Sequence, residues 1–248
     1  MRRLPIHAVH GAFLLLAACD AGPSTPPTTT APPPPSSSTT IAKSAGNALG
    51  IGEPRKPEPF TLSQRLLDAV QRNDRPTIER ALELGAPLDA KDDIGRSVVL
   101  LAASDAGDAA LVAWLHDKGA ALDELDVSGR AALSFAADAG RLDIVRYLVE
   151  HQAVVDRPDV QGRTPLFHAA LADHADVVAY LLDQGAAVNQ RDNYGDTPLI
   201  VACAKGFPEM AALLLKRGAD PSLRDQEGRT AAERSAPGIE PCRSPTPK

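Results

Sequence analysis

Residues 162–193 read GRTPLFHAALADHADVVAYLLDQGAAVNQRDN, and this stretch decides the fold because its pattern returns at a fixed interval. Gly129, Gly162, Gly195 and Gly228 stand 33 residues apart, and Gly95 precedes Gly129 by 34. Thr164-Pro165-Leu166 and Thr197-Pro198-Leu199 each follow their glycine by two, and Gly185-Ala186 and Gly218-Ala219 end their units. A constant period of this size describes a stack of small units instead of one rounded core.

Within one unit the residues specify two short helices and a loop. Thr164 is placed to cap the first helix, and Pro165 suits the first helical position, where a missing N–H leaves nothing unsatisfied. Val177, Val178, Leu181 and Leu182 form an i, i+1, i+4, i+5 stripe that predicts one buried face on the second helix. Gly185 follows Leu182 by three, where a left-handed C-terminal cap is expected. Asp192 to Gly195 supplies turn chemistry. The stripe returns as Thr77, Ile78, Ala81 and Leu82, as Leu111, Val112 and Leu115, as Ile144, Val145, Leu148 and Val149, and as Met210, Ala211, Leu214 and Leu215.

These glycines, Thr-Pro-Leu triplets and Gly-Ala closures resemble the ankyrin repeat. The resemblance implies an all-α solenoid of helix-turn-helix-β-turn units. Units near 60–91, 92–125, 126–158, 159–191 and 192–224, with a half-repeat at 225–235, give five repeats plus a C-terminal half. Gln64, Arg65 and Gln71 are expected to face outward at the N-terminal end. Ala131-Ala132 and Ser97-Val98 replace Thr-Pro in two units, and Phe167 and Ile200 stand where the family has His. The extra residue of the second unit is expected in the turn around Ser104 to Gly107. Gln152 occupies a capping-glycine position, where a non-glycine residue is strained.

The amino-terminal residues suggest a compartment. Arg2 and Arg3 precede a short apolar run, Gly11 to Ala18, well below the roughly 20 residues that span a bilayer. Residues 1–18 therefore read as a cleaved export signal. Leu16-Ala17-Ala18-Cys19 resembles a bacterial lipobox, which implies palmitate-type acylation of Cys19 and a lipoprotein held to the membrane on the periplasmic side. Asp20 resembles an inner-membrane retention signal, which tilts the expectation toward that membrane; an ordinary signal peptide is the alternative. Residues 19–59 are the expected tether: ten of the forty residues 20–59 are Pro and eleven are Ser or Thr. Such a composition cannot bury enough surface to offset chain entropy. Residues 236–248 read as a loose tail.

Charge and chemistry exclude several classes. Between 60 and 235 there are 19 basic and 28 acidic residues, a net of −9 against −6 for the whole chain. Such a domain repels phosphate backbones, so no nucleic acid is expected. No HExxH, CxxC, GxSxG or phosphate-cradling glycine loop is present. The expectation is no enzyme, no cofactor, no metal site and no small-molecule substrate. His174 is expected to be structural, His116 a partly buried packing residue, and His151 and His168 to lack a carboxylate or cysteine partner at metal-ligand spacing. Cys203 reads as a buried inert thiol, with pairing to Cys242 in an oxidising compartment as the alternative. Trp114, Tyr147 and Tyr180 form a column read as packing between units, and Arg96, Arg130, Arg163 and Arg229 form a basic one.

The resemblance also implies where a partner protein would bind: the loop tips and first helices of a concave face. By register the candidates are Ile94, Arg96, Val127, Arg130, Val160, Arg163, Tyr194 and Asp196, with Asp138, Leu171 and Lys205 at helix ends. The expected function is a protein-binding module anchored in the envelope. Alternatives are an immunity-type inhibitor of a toxin or effector, and a structural spacer without a soluble partner.

Overall fold

Each second helix of the chain is nine residues long, too short to persist alone, since isolated helices below about 12 residues are marginal in water. Stability must come from what these helices pack against. In the computed structural model the described residues are 59–235 and Cys242, with side chains described from Leu62. They belong to the unit Glu53–Lys248. The expected signal, Cys19, the tether and most of the tail lie outside the described residues.

Among the described residues the order is α1 (Pro59–Gln71), α2 (Arg75–Glu83), α3 (Val98–Leu101) running into a π-helical turn (Ala102–Ala106), α4 (Ala109–Asp117), α5 (Ala132–Asp138), α6 (Leu142–Glu150), α7 (Pro165–Leu171), α8 (Ala175–Asp183), α9 (Pro198–Lys205), α10 (Pro208–Lys216) and α11 (Ala231–Arg234). First helices contact first helices, α5 on α7, α7 on α9 and α9 on α11. Second helices contact second helices, α4 on α6, α6 on α8 and α8 on α10. The helices named above are α or π, and among the described residues extended pairing is limited to single bridges such as Leu125 with Ala131.

The stripe is buried as expected, with one refinement. Ile144, Val145 and Leu148 are fully buried, as are Val177, Val178 and Leu181, and Met210, Ala211 and Leu214. The last member of each stripe, Val149, Leu182 or Leu215, is only half-buried. His116 occupies that rim column in α4, which is why an imidazole fits there; its Nδ1 lies 3.2 Å from the Ala120 carbonyl. The N-terminal face is polar as expected, with Gln64, Arg65 and Gln71 exposed.

Caps follow local chemistry. Thr164 and Thr197 accept the N–H of Phe167 and Ile200 at 3.3 and 3.2 Å. Ala131 offers no cap, and Ser97, which could, makes none. The extra residue of the second unit is absorbed in the helix as a π-turn instead of lengthening the turn after it, ending where the Gly107 N–H donates to the Ala102 carbonyl at 3.0 Å.

At the ends of second helices a left-handed residue lets the next N–H return to the last turn. The Ala186 N–H reaches the Leu181 carbonyl at 3.0 Å and the Ala153 N–H reaches Leu148 at 3.0 Å. Glycine holds this position at 85, 119, 185 and 218, but Gln152 holds it at φ +66°. A Cβ added at any of those glycines would meet nothing within 4 Å. The penalty at Gln152 is thus backbone strain without a clash. Gln152→Gly is expected to stabilise by about 1 kcal/mol, read as a higher urea midpoint; an unchanged or lower midpoint contradicts this account.

One expectation is corrected. Cys203 is fully buried as anticipated, but it is not an unpaired thiol: it forms a disulfide with Cys242, Cα–Cα 5.8 Å across a separation of 39 residues. Cys242 therefore stands against α9, where the two sulfurs meet.

Candidate partner-binding surface

The loop tips are built on an aspartate column, of which the sequence reading above placed only Asp192 in a turn. Asp92, Asp126, Asp159, Asp192 and Asp225 each precede a repeat glycine by three. Asp192 Oδ1 accepts the N–H groups of Tyr194 and Asp196 at 2.9 and 3.0 Å, closing the turn. Asp126 does the same for Ser128 and Arg130 at 2.9 and 2.8 Å, and Asp159 for Gln161 and Arg163 at 2.8 and 2.9 Å. Short acidic side chains favour such turns because they bond their own backbone two residues on. The same period that marks the glycines could have marked these carboxylates.

Neighbouring tips are then joined by main-chain bonds. Val127 N–H donates to Ile94 O at 3.1 Å, Val160 to Ser128 at 2.9 Å, Asn193 to Gln161 at 2.8 Å and Gln226 to Tyr194 at 3.0 Å. Asn193 Nδ2 adds a bond to Val160 O at 2.9 Å. This ladder fixes the spacing of the side chains it carries. Four of the eight candidates point to solvent: Ile94 is 49 % exposed, Val127 70 %, Val160 64 % and Tyr194 57 %.

The charged candidates are placed differently. Arg96 pairs with Asp92 at 2.8 Å and Asp105 at 3.3 Å, Arg130 with Asp138 at 2.9 Å, and Arg163 with Asp192 at 3.3 Å. Arg130 also lies over the Phe135 ring at 4.0 Å. Asp196, standing where the other units have Arg, is held by Arg234 at 3.3 Å. The basic column is therefore neutralised within the chain. At its C-terminal end burial alone would raise the Asp225 carboxyl, but the Arg229 N–H and the Arg234 and Arg229 guanidiniums override it and hold it at about 2.

His168 meets a carboxylate that the sequence reading did not pair with it: its Nε2 lies 3.0 Å from Asp159 Oδ2. The tip turn folds back over α7, so residues nine apart in sequence meet. Burial, aided by the Arg130 charge, pushes the imidazole below its ordinary 6.5 against the pull of Asp159. The folded state thus binds this proton less readily than the unfolded chain. Above pH 6.5 both states are neutral there; as pH falls below 6.5 the unfolded state gains protons first and stability declines. We expect the urea midpoint of the native protein to fall between pH 7.5 and 5.5 more steeply than that of His168→Gln, by at most about 1.4 kcal/mol per pH unit. Parallel pH profiles would refute the assignment.

A pocket of about 340 Å³ opens beside His168 and is lined by Arg130, Asp138, Asp159, Arg163 and Leu171 among others. Two further histidines make packing contacts: His174 Nε2 lies 3.0 Å from the Asp138 carbonyl, and His151 stacks on Tyr147 with ring centroids 4.0 Å apart. Trp114, Tyr147 and Tyr180 pack half-buried against the core, with Arg75 over Trp114 at 4.4 Å and Arg146 over Tyr180 at 4.7 Å. Among the described residues no group of three or more His, Cys, Asp or Glu is arranged to hold a metal ion, and no helix is long and apolar enough to cross a membrane.

Helix pairs stacked like with like, joined by aspartate-closed tips, define a helical repeat protein whose tips form one continuous surface. The family model for ankyrin repeats, in three copies, matches residues 66–159 and 154–225, well over half of the chain, and the chain belongs to the ankyrin-repeat family. No curated protein matches it. Ankyrin repeats are typically non-enzymatic modules for protein–protein interaction.

Proposed function

We propose that this chain is a lipid-anchored envelope protein of five ankyrin repeats and a C-terminal half, which binds another protein through its loop tips. The observation that carries the binding surface is the row of exposed apolar side chains Ile94, Val127, Val160 and Tyr194 on tips bonded to one another. The buried core of a partner surface is more apolar than its rim, and Tyr is among the favoured anchors. Arg96, Arg130, Arg163 and Asp196, already paired, buttress that row and order its rim. The envelope part rests on Leu16-Ala17-Ala18-Cys19 and is supported by the Cys203–Cys242 bond, since disulfides persist in oxidising compartments.

The test replaces Ile94, Val127, Val160 and Tyr194 together by Ser. Exposed positions change stability by about 0.5 kcal/mol or less each, so the variant should fold. Pull-downs from detergent-solubilised envelope extracts should then lose the proteins that the native chain retains. An unchanged set of retained proteins would refute this surface. Separately, metabolic labelling with palmitate should mark the native chain and spare Cys19→Ala; label on both would remove the anchor.

A further inference from the structure

The first two helix pairs enclose a second pocket, away from the tips, whose chemistry the stacking of repeats does not use. It measures about 250 Å³ and lies between the loop after α2, the start of α3 and the loop after α4. Leu88, Val98 and Ala120 give it apolar walls, while Ser97, Glu124 and Asp89 bring oxygens to it.

Two of those oxygens make no hydrogen bond among the described residues. Ser97 is 3 % exposed, and its Oγ has no hydrogen bond among the described residues. It stands in the column of Thr164, Thr197 and Thr230, whose hydroxyls accept the N–H of Phe167, Ile200 and Glu233 at 3.3, 3.2 and 3.4 Å. Ser97 alone in that set has a hydroxyl and makes no cap with it. Glu124 Oε2 is likewise buried and accepts no hydrogen bond. Lys91 Nζ lies 3.4 Å away, within ion-pair range but not aligned as a hydrogen-bond donor. Buried acceptors left without donors are unfavourable, and native proteins rarely keep them unless something else supplies the donor.

We propose that this pocket binds a small primary ammonium group carried on a short apolar stem. An ammonium has three donors and no acceptor, which suits an arrangement of Ser97 Oγ and Glu124 Oε2. Asp89 and Glu124 both line the pocket, while Lys91 pairs with Glu124 from outside that lining. The stem lies along Leu88, Val98 and Ala120. Ligands of drug size occupy pockets of about 300 Å³ and more, so this occupant is smaller.

The test follows backbone amides of the full chain by NMR during titration with n-butylammonium. Saturable shifts are expected at Ser97, Gly119, Ala120, Ala121 and Glu124. Butan-1-ol, the same stem without charge, should bind at least tenfold more weakly, and Glu124→Gln should weaken n-butylammonium at least tenfold. Ser97→Ala should weaken it severalfold while leaving the melting midpoint unchanged or raised, because it deletes an unpartnered hydroxyl. Nα-acetyl-lysinamide binding as tightly as n-butylammonium assigns the group to a protein lysine, and its exclusion assigns it to a free amine; either supports the site. The proposal is overturned if no lining amide shifts, which would leave the pocket to water. It is equally overturned if butan-1-ol binds as well, or if Ser97→Ala lowers the midpoint as loss of a helix cap would.

Discussion

Cys242→Ala is expected to destabilise the C-terminal end of the stack by about 4 kcal/mol, the loop-closure value for a bridge spanning this many residues. Reduction of the native protein should do the same. Cys203 is fully buried and Cys242 is 3 % exposed, so either replacement also removes buried atoms, and reduction, which keeps both side chains, isolates the cross-link. In a solenoid each unit depends on its neighbours, so the loss should be local first. Hydrogen exchange of α9, α10 and α11 should accelerate while α5 and α6 keep their protection. Equal loss across all helices would show that the stack melts as one block. No loss would show that the bridge closes a loop already held by packing.

Asp192→Ala is expected to destabilise by about 3 kcal/mol, because breaking a buried, fully bonded charge leaves its partners stranded. The carboxylate has no exposed surface and holds the N–H groups of Tyr194 and Asp196 on one oxygen and Arg163 Nε on the other. The arginine comes from the preceding unit, so this one residue both closes its own turn and ties two tips together. Asp192→Asn, which keeps the turn acceptor and loses the charge, should recover part of the stability. Urea midpoints of the two variants separate the turn from the ion pair; equal midpoints would assign the whole effect to the charge.

The architecture was legible because its signals are local and repeated. Thr164-Pro165, the stripe at Val177 to Leu181 and Gly185 each describe their own few residues, and the period multiplies them. Gln152 was readable for the same reason, and its φ of +66° bears out the strain assigned to it. The irregular unit was read in part: the extra residue fell near Ser104 to Gly107, but whether a helix takes it as a π-turn depends on packing against its neighbours.

The site was less legible where partners are set by how the chain folds back. The exposure of Ile94, Val127, Val160 and Tyr194 follows from register alone. The fate of the arginines does not, since Arg163 finds its carboxylate 29 residues on and Arg234 finds Asp196 38 residues back. His168 meets Asp159 only because the tip lies over α7. The Cys203–Cys242 bond joins a repeat residue to one outside the period, so no periodic pattern announces it.

That bond also bears on how the molecule responds to tension. The stretch from Cys203 to Cys242 contains α10 and α11, and a covalent shortcut across it carries a load from the carboxyl end straight into α9. Roughly 130 Å of extendable chain, at about 3.3–3.6 Å per residue, is thereby kept out of the line of pull. Rupture must begin in units nearer the amino end, while the last helices ride along unstrained.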